Sequence, residues 1–236
     1  MEATEVRKLT ALEDRHWWYR ERRRLLARSV ADLIPGKAVD VGAAGGGNTR
    51  VLQALGWQVA ALEFGSDGAE VCAERSIPVV RGDATRLPIA PASLDLVVAF
   101  DVLEHLDDDK AAAAGIFEAL KPGGTFLVAV PADPRLWSAH DDAVGHVRRY
   151  TRQTLGDLLG GAGFQSEPMR SWNVLLRPVV ALRRRSSSGS DLEQLPAVVN
   201  TALHAIVAAE RYLPVKSLPG VSLLVRAQRP APFFSD

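Results

Sequence analysis

The sequence lacks an excess of charge of either sign and a second cysteine, and each absence excludes a class of protein. Lysine plus arginine and aspartate plus glutamate are balanced at 28 each, so the chain has no overall positive field of the kind that marks a general nucleic-acid binder. The single cysteine, Cys72, excludes an internal disulfide. We therefore expect neither a nucleic-acid partner nor a disulfide-stabilised secreted domain.

Long apolar runs are also missing, so the sequence predicts no membrane span. Segments 172–182 and 197–209 are short, and they are interrupted by Arg177 or by Asn200 and His204. The N-terminus is charged throughout and has no apolar signal-peptide core, which predicts a cytoplasmic protein. Peripheral contact with a membrane surface stays open.

What the sequence does contain is the composition and the alternating pattern of an α/β domain. At 236 residues, with 47% hydrophobic and 24% charged residues, the chain is long enough for one domain with a full core and a lid or insert. Strand-like and helix-like segments alternate with short links, which predicts a doubly wound parallel sheet. The predicted strands are 38–41, 59–62, 79–80, 93–100 and 125–130, and the predicted helices are 48–55, 68–74, 107–120 and 151–159.

A glycine-rich turn at 42–47 follows the first predicted strand and opens a helix. Glycine permits positive φ and lets a ligand approach the backbone, while the helix start offers unpaired N–H groups, so a nucleotide-like ligand is expected. Gly42, Ala44 and Gly47 fit a dinucleotide (NAD) fingerprint with alanine in the middle place. Asp40, Gly42 and Gly46 fit the looser pattern of S-adenosylmethionine (SAM) enzymes equally well. The turn alone leaves both cofactors open.

Five motifs in order resolve that choice. They are the turn at 39–52, Glu63, Gly82-Asp83-Ala84, segment 95–105 with its Asp101-to-His105 end, and Leu120-Lys121-Pro122-Gly123-Gly124. Together they resemble the Rossmann-like class I SAM-dependent methyltransferases over about residues 37–164. The resemblance implies a mostly parallel seven-stranded sheet with an antiparallel last strand, for which 167–172 and 221–227 are the predicted closing pair. Ala44 departs from the glycine of many members and puts the tightness of the turn in question.

The resemblance also implies which residues bind SAM, whose product is S-adenosylhomocysteine. Asp40 and Gly42, with Ala44 and Gly46 of the same turn, are expected at the methionine end. Glu63 is expected to bind the ribose; its place about twenty residues after Gly42, at a strand end, independently suits an acid that binds both ribose hydroxyls. Asp83 and Ala84 are expected at the adenine, and Phe100 and Asp101 beside the methyl-bearing sulfur.

Two regions outside the core motifs are predicted to cover the site. Residues 1–34 form an N-terminal helical segment whose Trp17, Tyr19 and arginines either dock on the main domain or act as a lid over the substrate. Residues 35–236 form the SAM-binding methyltransferase domain, with an insert at about 173–216. The apolar part of this insert is expected to cover the pocket; a membrane surface or a second subunit are the alternatives, so monomer and homodimer both stay open. The run 183–190 is expected to be a solvated loop.

The segment after the fifth strand holds the densest set of reactive side chains. Because ligands of this fold bind outside the carboxyl ends of the strands, 131–150 is placed to touch the substrate, and it resembles a segment of a bacterial subgroup of the family. His140 and His146 are the candidate general bases. Arg148, Arg149 and Tyr150 are candidate substrate contacts. The alternative is that His146 and Arg149 only hold the loop's shape, and His105 is expected to brace its own loop.

No metal is predicted, because the spacing of His140 and His146 matches no common site and no cysteine assists. The predicted function is methyl transfer from SAM to a small molecule or peptide in biosynthesis, with O-methylation of a hydroxyl or carboxylate favoured over N-methylation. A hydroxyl or an amine calls on a histidine base, whereas a carboxylate needs only arginines to position it. A non-catalytic SAM-binding or partner-binding protein and an NAD-dependent reductase are the alternatives from other classes.

Overall fold

A computed structural model describes residues 7, 10–184 and 195–231 of the chain. Eight strands form one sheet in the order β3-β2-β1-β4-β5-β8-β6, with β7 also paired to β8. The strands are β1 Lys37–Val41, β2 Gln58–Glu63, β3 Val79–Arg81, β4 Leu94–Phe100, β5 Leu120–Pro131, β6 Gln165–Ser166, β7 Arg170–Trp172 and β8 Ser222–Gln228. The helices are α1 Trp17–Ser29, α2 Gly47–Ala54, α3 Ser66–Glu74, α4 Asp109–Ala119, α5 Ala139–Val144, α6 Arg152–Gly161, α7 Arg177–Arg184 and α8 Ala197–Ala209.

The first five strands are parallel, and the closing strands are antiparallel to them. β1 pairs in parallel with β2 and β4, while β8 runs antiparallel to β5 from Thr125↔Gln228 to Pro131↔Ser222. Helices cover both faces: Ile116 of α4 and Leu155 of α6 pack on one face, and Leu26 of α1 and Leu52 of α2 on the other. The prediction of a doubly wound, mostly parallel sheet with an antiparallel last strand is confirmed.

The sheet has one strand more than predicted, because the expected strand 167–172 begins only at Arg170 and a further short strand, Gln165–Ser166, precedes it. Pro168 has no N–H to donate to a ladder, and the pairing with β8 stops at Ser166 and resumes at Arg170. The predicted turn 121–124 lies inside β5, where Gly123 takes φ +81°. Residues 134–136 and α5 add helical turns to a segment expected to be irregular, and α7 gives the apolar insert a helix.

Parts of the predicted lid and insert lie outside the described residues, namely 1–6, 8 and 9 of the former and 185–194 of the latter, which includes most of the run 183–190. Among the helices that the structure describes, none combines the length and apolarity needed to cross a bilayer.

Candidate active site

A cavity of about 340 Å³ opens where β1 and β4 end, the position at which the strand order of the sheet reverses. This volume lies within the range of small-molecule sites, and this edge is where α/β sheets bind ligands. The glycine turn, Phe100 and Asp101 line one part, which we call the glycine-turn end. His105, His140 and His146 line a second part, which we call the histidine end, and α1, α7 and α8 contribute the remaining walls.

The glycine turn reaches the cavity with its backbone. Gly42 has φ +64°, and a Cβ there would lie 2.6 Å from Val102 Cγ2, so only glycine fits. Gly46 has φ +76° and is the N-cap of α2. Ala44 also has positive φ, +49°, which costs an alanine of the order of 1 kcal/mol. The doubt that the sequence raised over Ala44 thus corresponds to a strained residue at the cavity wall.

The two acids of this end brace the turn. Thr49 Oγ1 donates to Asp40 Oδ2 over 2.7 Å, while Asp40 Oδ1 has no partner among the described residues. Burial raises the pKa of Asp40 to about 7. The Glu63 carboxylate accepts a hydrogen bond from the Ala44 N–H, and burial raises its pKa. Neither acid lines the cavity itself.

The other predicted cofactor residues divide between the cavity and its surroundings. Asp83 caps the turn Ala84–Arg86, and hydrogen bonds from the Thr85 N–H and hydroxyl lower its pKa. Neither Asp83 nor Ala84 is among the described residues that line the cavity. Phe100 and Asp101 do line it, and Asp101 adopts φ +54°. Arg22 of α1 pairs with the Asp101 carboxylate at 2.5 Å and donates to Phe100 O at 3.1 Å.

The N-terminal segment covers the cavity. Trp17 and Trp18 both line it, and Trp18 packs on Trp172 with ring centroids 4.2 Å apart. Asn200 of α8 accepts a hydrogen bond from the Trp17 N–H at 2.8 Å and donates to Arg15 O at 2.9 Å. Tyr19 also lines the cavity. The adjacent tryptophans thus share one apolar wall of the cavity.

The far end of the cavity is polar and partly buried. His146 Nδ1 lies 2.8 Å from Asp141 Oδ1, and His146 Nε2 lies 3.8 Å from Glu104 Oε1. Burial acts to raise the pKa of Asp141. The hydrogen bond with His146 and the charges of Arg149 and Arg184 outweigh burial and lower this pKa to about 2. Glu104 is fully buried, and its burial, reinforced by the charge of Asp101, raises its pKa well above the usual range.

The predicted substrate residues at 148–150 point in two directions. Arg149 lines the cavity and is 6% exposed; burial and then the charge of Arg184 lower its pKa to about 10. Arg148 pairs with Asp109 at 2.7 Å, and the Tyr150 hydroxyl donates to Asp109 Oδ2, also at 2.7 Å. Arg148 and Tyr150 therefore fasten the loop to α4, and the structure does not bring them to the cavity.

Several cavity residues were not predicted. Glu13, Glu104 and Asn173 line the wall, and the Asn173 side chain is buried with neither amide atom paired among the described residues. Glu104 had a signal, since it adjoins His105 and follows a buried strand. Glu13 and Asn173 had none, because only the packing of distant segments brings them to the cavity.

Comparisons with known proteins identify the family. A methyltransferase-domain family model matches residues 39–128. A probable SAM-dependent methyltransferase of Mycolicibacterium smegmatis is 29% identical over 171 residues, 70% of this chain and 65% of its own length. A malonyl-[acyl-carrier protein] O-methyltransferase of Xylella fastidiosa is 31% identical over 58% of this chain and 51% of its own. A demethylmenaquinone methyltransferase of Mycolicibacterium paratuberculosis is 28% identical over 72% and 82%.

This chain thus spans about half to two thirds of the length of the first two of these relatives. Among solved structures, a putative methyltransferase in complex with the Haloferax volcanii Trm112 activator superposes with a TM-score of 0.68, at 18% identity and over 98% of this chain and 95% of that one. That likeness shows the fold. The ordered motifs, the family model over residues 39–128, the relatives and the fold agree in supporting a class I, Rossmann-like SAM-dependent methyltransferase, a family whose cofactor is S-adenosylmethionine.

Proposed function

We propose that this protein transfers the methyl group of SAM to a small-molecule or peptide acceptor in biosynthesis, and that the atom methylated is an oxygen. The observation that supports this most directly is the cavity, which joins the glycine turn at one end to three histidines at the other. SAM supplies an electrophilic methyl group on a sulfonium sulfur. The chain's own task is to hold the acceptor in line with that group and exclude water, which accounts for most of the acceleration in such reactions.

The glycine-turn end fits SAM in part. Backbone of Gly42 and Ala44 faces the cavity beside Phe100 and Asp101, and no Cβ at Gly42 could be accommodated. We propose that these residues hold the methionine end and the sulfur, supported from behind by Asp40 and Gly46. Glu63 would exchange its hydrogen bond with Ala44 for the ribose hydroxyls. The assignment of the adenine to Asp83 and Ala84 stays a prediction, since neither lines the cavity.

The acceptor would occupy the volume between the aromatic wall and the histidines. Trp17 and Tyr19 stand on α1 at this wall, and Trp172 supports it from β7. We propose that residues 1–34 form the lid and that the insert at about 173–216 covers the pocket, because α7 and α8 both line the cavity. An apolar wall with few fixed polar groups is the usual form of a site that selects by shape.

The polar end offers two ways to activate an acceptor oxygen. A hydroxyl must lose its proton, and His140 and His146 are the proposed groups that assist this. Asp141 holds the imidazole of His146 by its Nδ1, so Nε2 is the atom directed toward Glu104 and the cavity. A carboxylate acceptor needs only a cation to position it. Of the two predicted arginines, Arg148 and Arg149, it is Arg149 that lines the cavity.

The test is incubation of the purified protein with methyl-labelled SAM and an extract of its source organism, followed by mass spectrometry of the labelled product. We expect the label on oxygen, and mild alkali that releases labelled methanol would identify a carboxylate acceptor. Glu63→Ala should abolish labelling, and Glu118→Ala, a change at an exposed acid of α4, is the matched control. A labelled nitrogen would establish N-methylation instead. SAM binding without any labelled product would indicate a non-catalytic SAM-binding protein.

A further inference from the structure

We propose that Glu104, His105 and His146 bind a divalent transition-metal ion at the wall of the cavity. One possible ligand atom from each residue lies within 4.8 Å of the other two. The three side chains come from two segments, the turn Leu103–His105 after β4 and the second residue after α5, His146. A backbone hydrogen bond of 2.8 Å from the Val147 N–H to Glu104 O fixes these segments to each other.

Both imidazoles are oriented in the manner of metal ligands. His146 Nδ1 is bonded to the Asp141 carboxylate at 2.8 Å, and His105 Nδ1 lies 3.1 Å from Gly145 O. Each contact leaves Nε2 as the ring atom available to a metal. Metal-binding histidines characteristically donate their other N–H to a carboxylate or a backbone carbonyl, which fixes the tautomer and the ring orientation. The structure supplies one support of each kind.

The Glu104 carboxylate provides a second, independent observation. The residue is 0% exposed, and neither of its oxygens has a hydrogen-bond partner among the described residues. A buried carboxylate without partners is costly, and coordination of a cation is one of the few arrangements that remove that cost. Arg149 and Arg22 act on Glu104 through their charges alone, because their ion pairs are made to Asp141 at 3.4 Å and to Asp101 at 2.5 Å.

The donor set indicates the class of metal. Two imidazoles and one carboxylate, with the remaining positions facing a cavity, are typical of Zn²⁺ and of Fe²⁺ and neighbouring first-row ions in catalytic sites. Mg²⁺ and Ca²⁺ prefer oxygen ligands throughout. The sequence predicted no metal from the spacing of His140 and His146. The proposed site uses a different pair of histidines, because the structure places His146 with His105 and Glu104.

The chemical role of this ion rests on the proposed function. An acceptor hydroxyl bound at the open position would ionise at a lower pH, since a bound divalent ion stabilises the oxyanion. The proton would pass to His140, which lines the same cavity outside the ligand set, or to solvent. His146 then assists deprotonation as a ligand and His140 as the base.

The experiment is metal binding by the full chain without SAM or acceptor. The protein is stripped with a chelator and titrated with Co²⁺, whose visible absorption reports bound nitrogen ligands, and with Zn²⁺ by calorimetry. We expect one ion per chain, with binding at least ~100-fold weaker in His105→Ala, His146→Ala and Glu104→Gln, and ~10- to 100-fold weaker in Asp141→Asn. His140→Ala and His204→Ala should bind as the unaltered chain does.

The absence of a stoichiometric Co²⁺ complex in the unaltered chain would overturn the proposal, and this result needs no variant to fold. Equal affinity in the three ligand variants, each checked by thermal melting, would overturn it as well. Because this experiment measures no methyl transfer, its outcome is independent of the proposed function. A chain that binds the ion but has no transferase activity refutes the proposed function alone. Labelled product from a chain that binds no ion refutes the metal site alone.

Discussion

The two ends of the cavity differ in how far apart in the chain their residues lie. The glycine-turn end takes its wall from Gly42 and Ala44, which follow β1, and from Phe100 and Asp101, at the carboxyl end of β4. The histidine end and its cover draw on Glu104 and His105, on residues 140–149 and on α1, α7 and α8. Some of these contacts join residues more than 180 positions apart, as Trp17 with Asn200 does.

This difference explains why the sequence predicts the residues of the glycine-turn end more readily than those of the histidine end. In a parallel sheet every strand delivers its following loop to the same edge, so short local motifs suffice to predict residues of the glycine-turn end. Residues such as Glu13 and Asn173 are brought to the cavity by packing between distant segments, which no local pattern encodes. If the two ends also act independently, a substitution at one end should leave the property of the other end unchanged. The following substitutions test this.

The largest effect is expected at the glycine turn. Gly42→Val adds a side chain at φ +64° against Val102, and we expect SAM affinity to fall about 1000-fold through strain and overpacking of about 4 kcal/mol. Calorimetry with SAM measures it. Gly123→Val is the matched control, since its φ is +81° but no heavy atom lies within 4 Å of the added Cβ. Equal SAM affinity in the two variants would remove the turn from the cofactor site.

A pH effect of similar size is expected from Asp40. Its pKa of about 7 in the folded chain exceeds its usual value of 3.8, so the folded state retains a proton that the unfolded chain releases. The stability that this group contributes is complete below pH 4 and is lost as the pH rises through 7, by up to about 4 kcal/mol. Urea unfolding of Asp40→Asn should show a shallower decline between pH 4 and 7 than the unaltered chain. Parallel curves would mean that Asp40 is ionised when buried.

At the other end, His146→Ala should lower turnover of a hydroxyl acceptor by about 100-fold, because proton removal loses its support. SAM affinity should change less than about 2-fold, since the groups beside His146 are Asp141 and Glu104 and not the glycine turn. Steady-state kinetics and calorimetry measure the two quantities. His204→Ala is the control, and a large loss of SAM affinity in His146→Ala would show that the ends are coupled.

The smallest effect concerns Tyr150, predicted from sequence as a substrate contact. Tyr150→Phe removes the hydroxyl that donates to Asp109 Oδ2, and we expect a loss of about 1–2 kcal/mol of unfolding free energy with an unchanged KM for the acceptor. Thermal melting and kinetics check both. A raised KM at unchanged stability would return Tyr150 to the acceptor site.

Sequence reasoning predicted the fold well and the site unevenly, for physical reasons visible in single residues. The succession of strands and helices along the chain followed from apolar runs and turns, and the helix predicted at 151–159 is α6, which Thr151 caps. The division of the closing strand depended on Pro168, whose effect on pairing was overlooked. Phe100, Trp17, Tyr19 and His146 do line the cavity. Glu13 and Asn173 could not be found, because their positions depend on tertiary contacts alone.

The contact between Trp17 and Asn200 has a consequence for how the molecule is made. During synthesis, strands β1 to β5 leave the ribosome long before residue 200. The outer edge of β5 pairs only after β8 has also been synthesised. The wall over the cavity can close only when α8 meets α1, after residue 200 has been synthesised. A nascent chain can therefore assemble the core of its glycine-turn end while it has no enclosed chamber, and the chamber forms after that core.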